Sequence, residues 1–200
     1  MNIFELVLGF ILGCISSTLV SIAWYKIFVP KIKFADTICR YESTDQHEIY
    51  TYKIKFRNIG KRDIFEMYLY CTLFIPGLQR ESTMHLVDIN LSYNFKPLFK
   101  RRGKEGALNP DGLVRICLND EQMIEEFTRP IYSTVINDKA KKGLLTLEDL
   151  LGITQLSYIK FYIIAHDKFT GSKKVFESPS YTINNIKHGL YKYGELYVVD

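Results

Sequence analysis

The densest group of side chains able to recognise a charged partner is Lys96, Lys100, Arg101, Arg102 and Lys104, in a polar stretch from Lys96 to Pro110. Cations this close together suit an anion: a lipid headgroup, a small anionic ligand or another polyanion. A second basic group, Lys26, Lys31 and Lys33, directly follows a long apolar run and is placed for lipid headgroups. The histidines are His47, His85, His166 and His188; no two are four apart and none adjoins a cysteine or carboxylate cluster, so they read as structural or surface residues. Cys14, Cys39, Cys71 and Cys117 show no C-x-x-C spacing, which argues against a metal site. G-x-S-x-G, H-E-x-x-H and G-x-x-x-x-G-K do not occur, so neither enzyme activity nor a cofactor is expected. Signatures of nucleic-acid readers are missing and the net charge is a modest +4, so no nucleic-acid partner is expected.

The apolar run, Leu6 to Tyr25, contains no charged residue and has the length of a bilayer's hydrocarbon core, about 20 residues. The stretch before it carries an acid and no base, and Trp24, Tyr25 and Lys26 follow instead of a small-residue cleavage pattern. A retained transmembrane helix is therefore expected. The bases after it predict an N-terminus facing out and a large domain on the cytoplasmic side of the inner (plasma) membrane. Three cysteines outside the run also suit a reducing compartment. Within the run, Gly9, Gly13, Ser17 and Ser21 recur every fourth residue and share a helix face. Small residues at that spacing let two helices approach closely, so they are candidates for membrane assembly. The chain divides into an anchor (1–29), a juxtamembrane linker (30–36) and one domain (37–200).

That domain reads as mainly β. From Ile49 to Arg57, Tyr50, Tyr52, Ile54 and Phe56 take one face; Thr51, Lys53, Lys55 and Arg57 take the other, which reads as wet. Residues 58–63 form a turn in which Gly60 can take positive φ. Alternation then resumes with Phe65, Met67, Leu69, Cys71 and Leu73, which predicts a hairpin. Met84 to Leu91 and Val114 to Leu118 are further strands. Two short helices are expected. One spans Asn119 to Arg129, capped by Asn119, with Glu121, Glu125 and Glu126 on its solvent face. The other spans Thr146 to Leu151, with Asp149 completing a capping box and Gly152 as its stop. Tyr158 to His166 is a strand with Ile159, Phe161, Ile163 and Ala165 inward; it pairs with Lys173 to Glu177 across the turn 167–172. Ser180 to Ile183 and Glu195 to Val199 complete about eight strands, the pattern of a β-sandwich. Tyr68, Tyr70, Tyr158 and Tyr162 lie opposite the apolar faces, where a partner would cover them.

The segment from Phe161 through Ala165-His166-Asp167 to Thr170-Gly171, then Ser180-Tyr181-Thr182 and Ile186-Lys187-His188-Gly189, resembles the end of the cytoplasmic domain of inward-rectifier potassium channels. Pro130-Ile131-Tyr132 and Thr146-Leu147-Glu148-Asp149-Leu150 are similar to two upstream elements of that family, and Ile54 to Asn58 is similar to one of its strands. The chain departs from the family in having one span, no filter sequence, Asn185 at an acidic position and His188 at an aromatic one. A chain without the filter cannot form that selective pore. The resemblance implies an immunoglobulin-like β-sandwich, with tetrameric assembly beneath the membrane and lipid sensing at the basic junction. The expected role is an oligomeric interaction or ligand-sensing module, taking a small anionic ligand or a protein partner. The alternatives are a membrane-disrupting effector, as in bacterial antiviral defence, and an accessory subunit of a channel, transporter or secretion complex.

Overall fold

The computed structural model describes residues 3–28, 30–43, 49–80, 83–100, 111–166 and 173–199, with the main chain alone for residues 6 and 23–28. The chain opens with α1 (Ile3–Phe28), a helix of 26 residues. Its residues 3–22 are long and apolar enough to cross a membrane, and none is buried against the rest of the chain.

The strands that follow are β1 (Ile32–Phe34), β2 (Ile38–Glu42), β3 (Tyr50–Asn58), β4 (Ile64–Pro76), β5 (Met84–Asp88), β6 (Asn90–Leu91), β7 (Phe95–Phe99) and β8 (Asp111–Cys117). Three short helices come next: α2 (Glu121–Phe127), α3 (Thr134–Lys141) and α4 (Leu147–Leu151). The chain ends with β9 (Tyr158–His166), β10 (Lys173–Glu177), β11 (Ile186–His188), β12 (Leu190–Tyr191) and β13 (Val198–Val199). The protein is therefore mainly β.

The first sheet runs β11-β2-β3-β8-β6, with β1 also on β3; the second runs β10-β9-β4-β5, with β7 also on β4. Their inward faces meet in one core. Tyr52, Ile54 and Phe56 come from β3; Met67, Leu69, Cys71, Leu73 and Ile75 from β4; Ile159, Phe161, Ile163 and Ala165 from β9. The β9 alternation and the β9–β10 hairpin stand as read from the sequence. At α4, Thr146 and Asp149 exchange side-chain and backbone hydrogen bonds in the expected capping box.

Other expectations are corrected. β3 and β4 do not form a hairpin, because β1 already occupies the edge of β3 where the turn leaves it, pairing Ile32 with Asn58. The chain crosses to the second sheet through residues 59–63, where the Asn58 amide donates to the Arg62 carbonyl and its Oδ1 accepts from Gly60 N. Gly60 is not at positive φ; its constraint is close approach, since a Cβ there would lie 2.7 Å from Lys31 N. Residues 30–36 hold β1 and bury Phe34 and Ala35. Glu66 takes φ 46° at a bulge between Phe65 and Tyr68, which puts Ile64 rather than Phe65 in the core. Met84 to Leu91 is two strands, one in each sheet. Lys96 to Pro110 is not wholly a loop, because Lys96 lies within β7. Three short helices replace the expected two; α3, capped by the Ser133 hydroxyl, is the addition. Asp120, not Asn119, caps α2 by accepting from Met123 N.

Gly112 is held by packing rather than by conformation. A Cβ on it would meet the Phe56 ring at 2.2 Å. That ring is fully buried and packs on Phe34 and Phe99, with centroids 6.0 and 5.3 Å away, so it has nowhere to move. Gly112→Ala should cost about 1–3 kcal/mol as overpacking, read as a lower thermal midpoint; an unchanged midpoint would show that the ring can yield.

Candidate functional site

The side of β3 expected to be wet is the first surprise of the structure. Lys55 and Arg57 are buried, with side chains 5 and 8 % exposed. Asp111 lies between them on the paired strand β8: Arg57 donates to its two carboxylate oxygens at 2.5 and 2.9 Å, and Lys55 Nζ sits 3.0 Å away. The cover is the C-terminal segment. Lys55 also donates to the Lys192 carbonyl at 3.2 Å and Arg57 to the Gly194 carbonyl at 2.7 Å, while the Tyr191 hydroxyl donates to the Thr37 carbonyl. Burial opposes the charge on Asp111, but the Arg57 and Lys55 hydrogen bonds outweigh it and hold its carboxyl below the ordinary carboxylate range. The same segment covers Cys39, whose thiol burial pushes up to about 11, far from a reactive thiolate. This cluster locks the C-terminal segment onto the sheet and leaves no charge open to a ligand.

Two further polar groups also fasten elements together. Glu148 on α4 accepts from Arg40 at 2.6 Å and from the Tyr52 hydroxyl, tying α4 to β2 and β3. His85 on β5 sits 3.0 Å from the Tyr132 hydroxyl, which in turn donates to Glu126 at 3.3 Å. Glu126 also pairs with Arg129 at 2.8 Å, so it is not on the solvent face as expected. No grouping of His, Cys, Asp and Glu able to hold a metal occurs among the described residues.

Two surfaces remain. One is the outer face of the second sheet. Its rows across the strands read Val175–Ile164–Tyr68–Phe95, then Glu177–Tyr162–Tyr70, then Tyr158–Phe74–Leu86. Tyr68 and Phe95 pack with ring centroids 5.0 Å apart, and Phe74 stacks on Tyr158 at 4.7 Å. Tyr68, Tyr70, Leu86 and Val175 are 39, 49, 56 and 60 % exposed. The row between carries Lys160, Thr72 and Asp88, with Lys160 paired to Glu177. The outer face of the second sheet thus exposes aromatic and aliphatic side chains on either side of a polar row.

The other surface is the end of the two sheets nearest α1. Lys31 and Lys33 are exposed there, on and beside β1. Lys100 is exposed at the end of β7; Arg101, Arg102 and Lys104 lie outside the described residues, as do His47 and the turn 167–172. Lys96 on β7 is partly buried, its ammonium 5.2 Å from the Phe99 ring centroid, and burial lowers its pKa. Lys26 lies in the last turn of α1. Along α1, Gly9 and Gly13 have open space beside them, and Ser21 donates to the Ser17 carbonyl at 2.9 Å within the helix. No family model and no curated protein matches the chain.

Proposed function

We propose that the chain is a single-pass protein of the inner (plasma) membrane. Its immunoglobulin-like β-sandwich lies on the cytoplasmic side and acts as an oligomeric interaction or ligand-sensing module. α1 is the anchor in this reading. The bases at Lys26, Lys31 and Lys33 favour the inward orientation. The two packed sheets and the residues that resemble the channel family's cytoplasmic domain support the sandwich. The observation that carries the reading is the aromatic outer face of the second sheet, and its occupant is a second copy of the chain.

Magnitude decides how such a pair must form. Four strands about 4.8 Å apart and about eight residues long at 3.3 Å each present roughly 500 Å² in projection. A stable interface takes about 800 Å² per partner. The sheet face alone therefore gives a weak pair. Confinement to one membrane supplies the rest, by raising the effective concentration towards the millimolar range, and contact along Gly9, Gly13, Ser17 and Ser21 adds to it. A ligand or partner that alters domain packing would be felt at the helices through β1, the strand that follows the anchor in the chain. The test is chemical crosslinking of the full chain in intact membranes. Products at multiples of the 23.3 kDa chain mass are expected; single chains at every crosslinker dose would refute the reading.

A further inference from the structure

The second sheet ends in two open edges, β5 and β10. The Ile89 N–H donates to the Cys71 carbonyl and the Gly77 N–H to the Thr83 carbonyl. Alternation along the β4–β5 ladder then turns the backbone groups of Met84, Leu86 and Asp88 away from β4. The Ser178 N–H donates to the Phe161 carbonyl, and the same alternation turns those of Lys173, Val175 and Glu177 away from β9. All six of these residues are exposed. α2 does not cover the β5 edge: a groove of about 290 Å³ lies between them, lined by Asp88, Glu125, Glu126 and Arg129 among others. Arg129 is paired with Glu126, so this edge is acidic on balance. β10 is the opposite. It carries Lys173 and Lys174, and its one acid, Glu177, is paired with Lys160.

We propose that β5 of one copy pairs antiparallel with β10 of the next, so that the second sheet continues from chain to chain. The proposal rests on the reading of the chain as an assembly anchored in a membrane by α1. One register gives every outward group a partner: Asp88 opposite Lys173, Leu86 opposite Val175 and Met84 opposite Glu177. A slip of two residues either way loses a pair and sets Leu86 against Lys173 or Glu177. Charges on an edge strand ordinarily turn a second edge away; here the two edges differ in sign. Strand direction favours the same choice. Each of β10, β9, β4 and β5 runs antiparallel to its neighbour, so β10 and β5 of one copy point in opposite directions. Adding β10 of the next copy antiparallel to β5 therefore keeps that copy in the same orientation, as copies inserted through α1 into one membrane share. Pairing either edge with itself would turn the second copy end over end. The contact is head-to-tail, so it builds rows or rings rather than closed pairs. Five residues a side are too few to hold alone; the edge extends what the outer face begins. Two joined copies present roughly 1,000 Å² of that face, above the about 800 Å² per partner of a stable interface.

The test is disulfide capture in isolated membranes, using the full chain with Cys14→Ser and Leu86→Cys/Val175→Cys, and copper phenanthroline as oxidant. Within one copy the two positions lie roughly 14 Å apart across the sheet, beyond the about 7 Å that a disulfide spans. A ladder of products reaching beyond twice the 23.3 kDa chain mass is expected, with none from either single cysteine. Asp88→Lys should lower the yield roughly fivefold, and Asp88→Lys/Lys173→Asp should restore it. Products that stop at twice the chain mass would come from a closed pair and overturn the proposal. So would dimers from each single cysteine, which mean edges pairing with themselves, or a ladder indifferent to Asp88→Lys. Capture of a second copy by benzoyl-phenylalanine at position 70 without any 86–175 disulfide would overturn the edge contact and leave the sheet face standing. Product from neither would end both.

Discussion

Asp111→Asn should be among the most destabilising single substitutions in this protein. It leaves Lys55 and Arg57 buried without their counter-ion, although their donors still reach the Lys192 and Gly194 carbonyls. Breaking a buried pair from one side costs roughly 3–5 kcal/mol, because the charge left behind is neither solvated nor neutralised. For a chain of this size that lowers the thermal midpoint by roughly 6–20 °C. An exposed pair behaves differently: losing the partner of Lys160, whose Glu177 is half exposed, should cost at most about 1 kcal/mol. If Asp111→Asn does not fold at all, the variant Lys55→Met/Arg57→Met/Asp111→Leu separates charge from shape. Well-packed apolar residues should recover most of the loss, since a buried ion cluster often gives little net stability over them. A midpoint for Asp111→Asn within a degree of the parent would contradict the account of this cluster.

The pH dependence has a definite sign. Folding lowers the pKa of Asp111 below its ordinary value of 3.8. Its contribution is therefore fully present above that value and is lost as pH falls through the lower folded pKa. The gap between parent and Asp111→Asn should be full at neutral pH and should close only below 3.8. A gap that closed nearer neutrality would point to a different titrating group.

Tyr68→Asp/Tyr70→Asp should have the largest effect on assembly and little on folding. Both rings are substantially exposed on the outer face of β4, at 39 and 49 %. Placing two carboxylates there costs little in the isolated chain, but puts unpaired charge at the centre of any face-to-face pair. Removing a central aromatic typically costs 2 kcal/mol or more of association, which is about 30-fold in affinity. With an interface already smaller than standard, the assembly in the membrane should fall to single chains while the thermal midpoint of the chain stays near the parent's. Persistence of the assembly would place its interface elsewhere, with α1 the remaining surface.

How far the sequence could be read depended on whether each element is specified locally. β9 carries its own alternation, and Ile159, Phe161, Ile163 and Ala165 are all buried as that pattern requires. α4 announces itself through Thr146 and Asp149, because a capping box acts over three residues. β3 misleads because Lys55 and Arg57 look solvated until residues 190–194 fold over them from far along the chain. β7 was hidden by Pro97, which reads as a loop residue; an edge strand paired on one side tolerates it. α3 buries only Ile136 and Ala140, too little apolar periodicity to stand out, although Ser133 offered a cap. Of the candidate surfaces, the outward tyrosines and the bases at Lys31, Lys33 and Lys100 were visible one by one. The meeting of the tyrosines on one sheet, between the open edges β10 and β5, follows from strand order, which local patterns do not encode.

The central claim is that copies of this chain meet through the outer face of the second sheet within a membrane. It is tested most directly by placing benzoyl-phenylalanine at position 70 of the full chain and irradiating intact membranes. Leu113, 44 % exposed on the other sheet, is the comparison position. The account predicts a covalent product at twice the 23.3 kDa chain mass from position 70 and none from position 113. No product from position 70, or equal products from both, would contradict it.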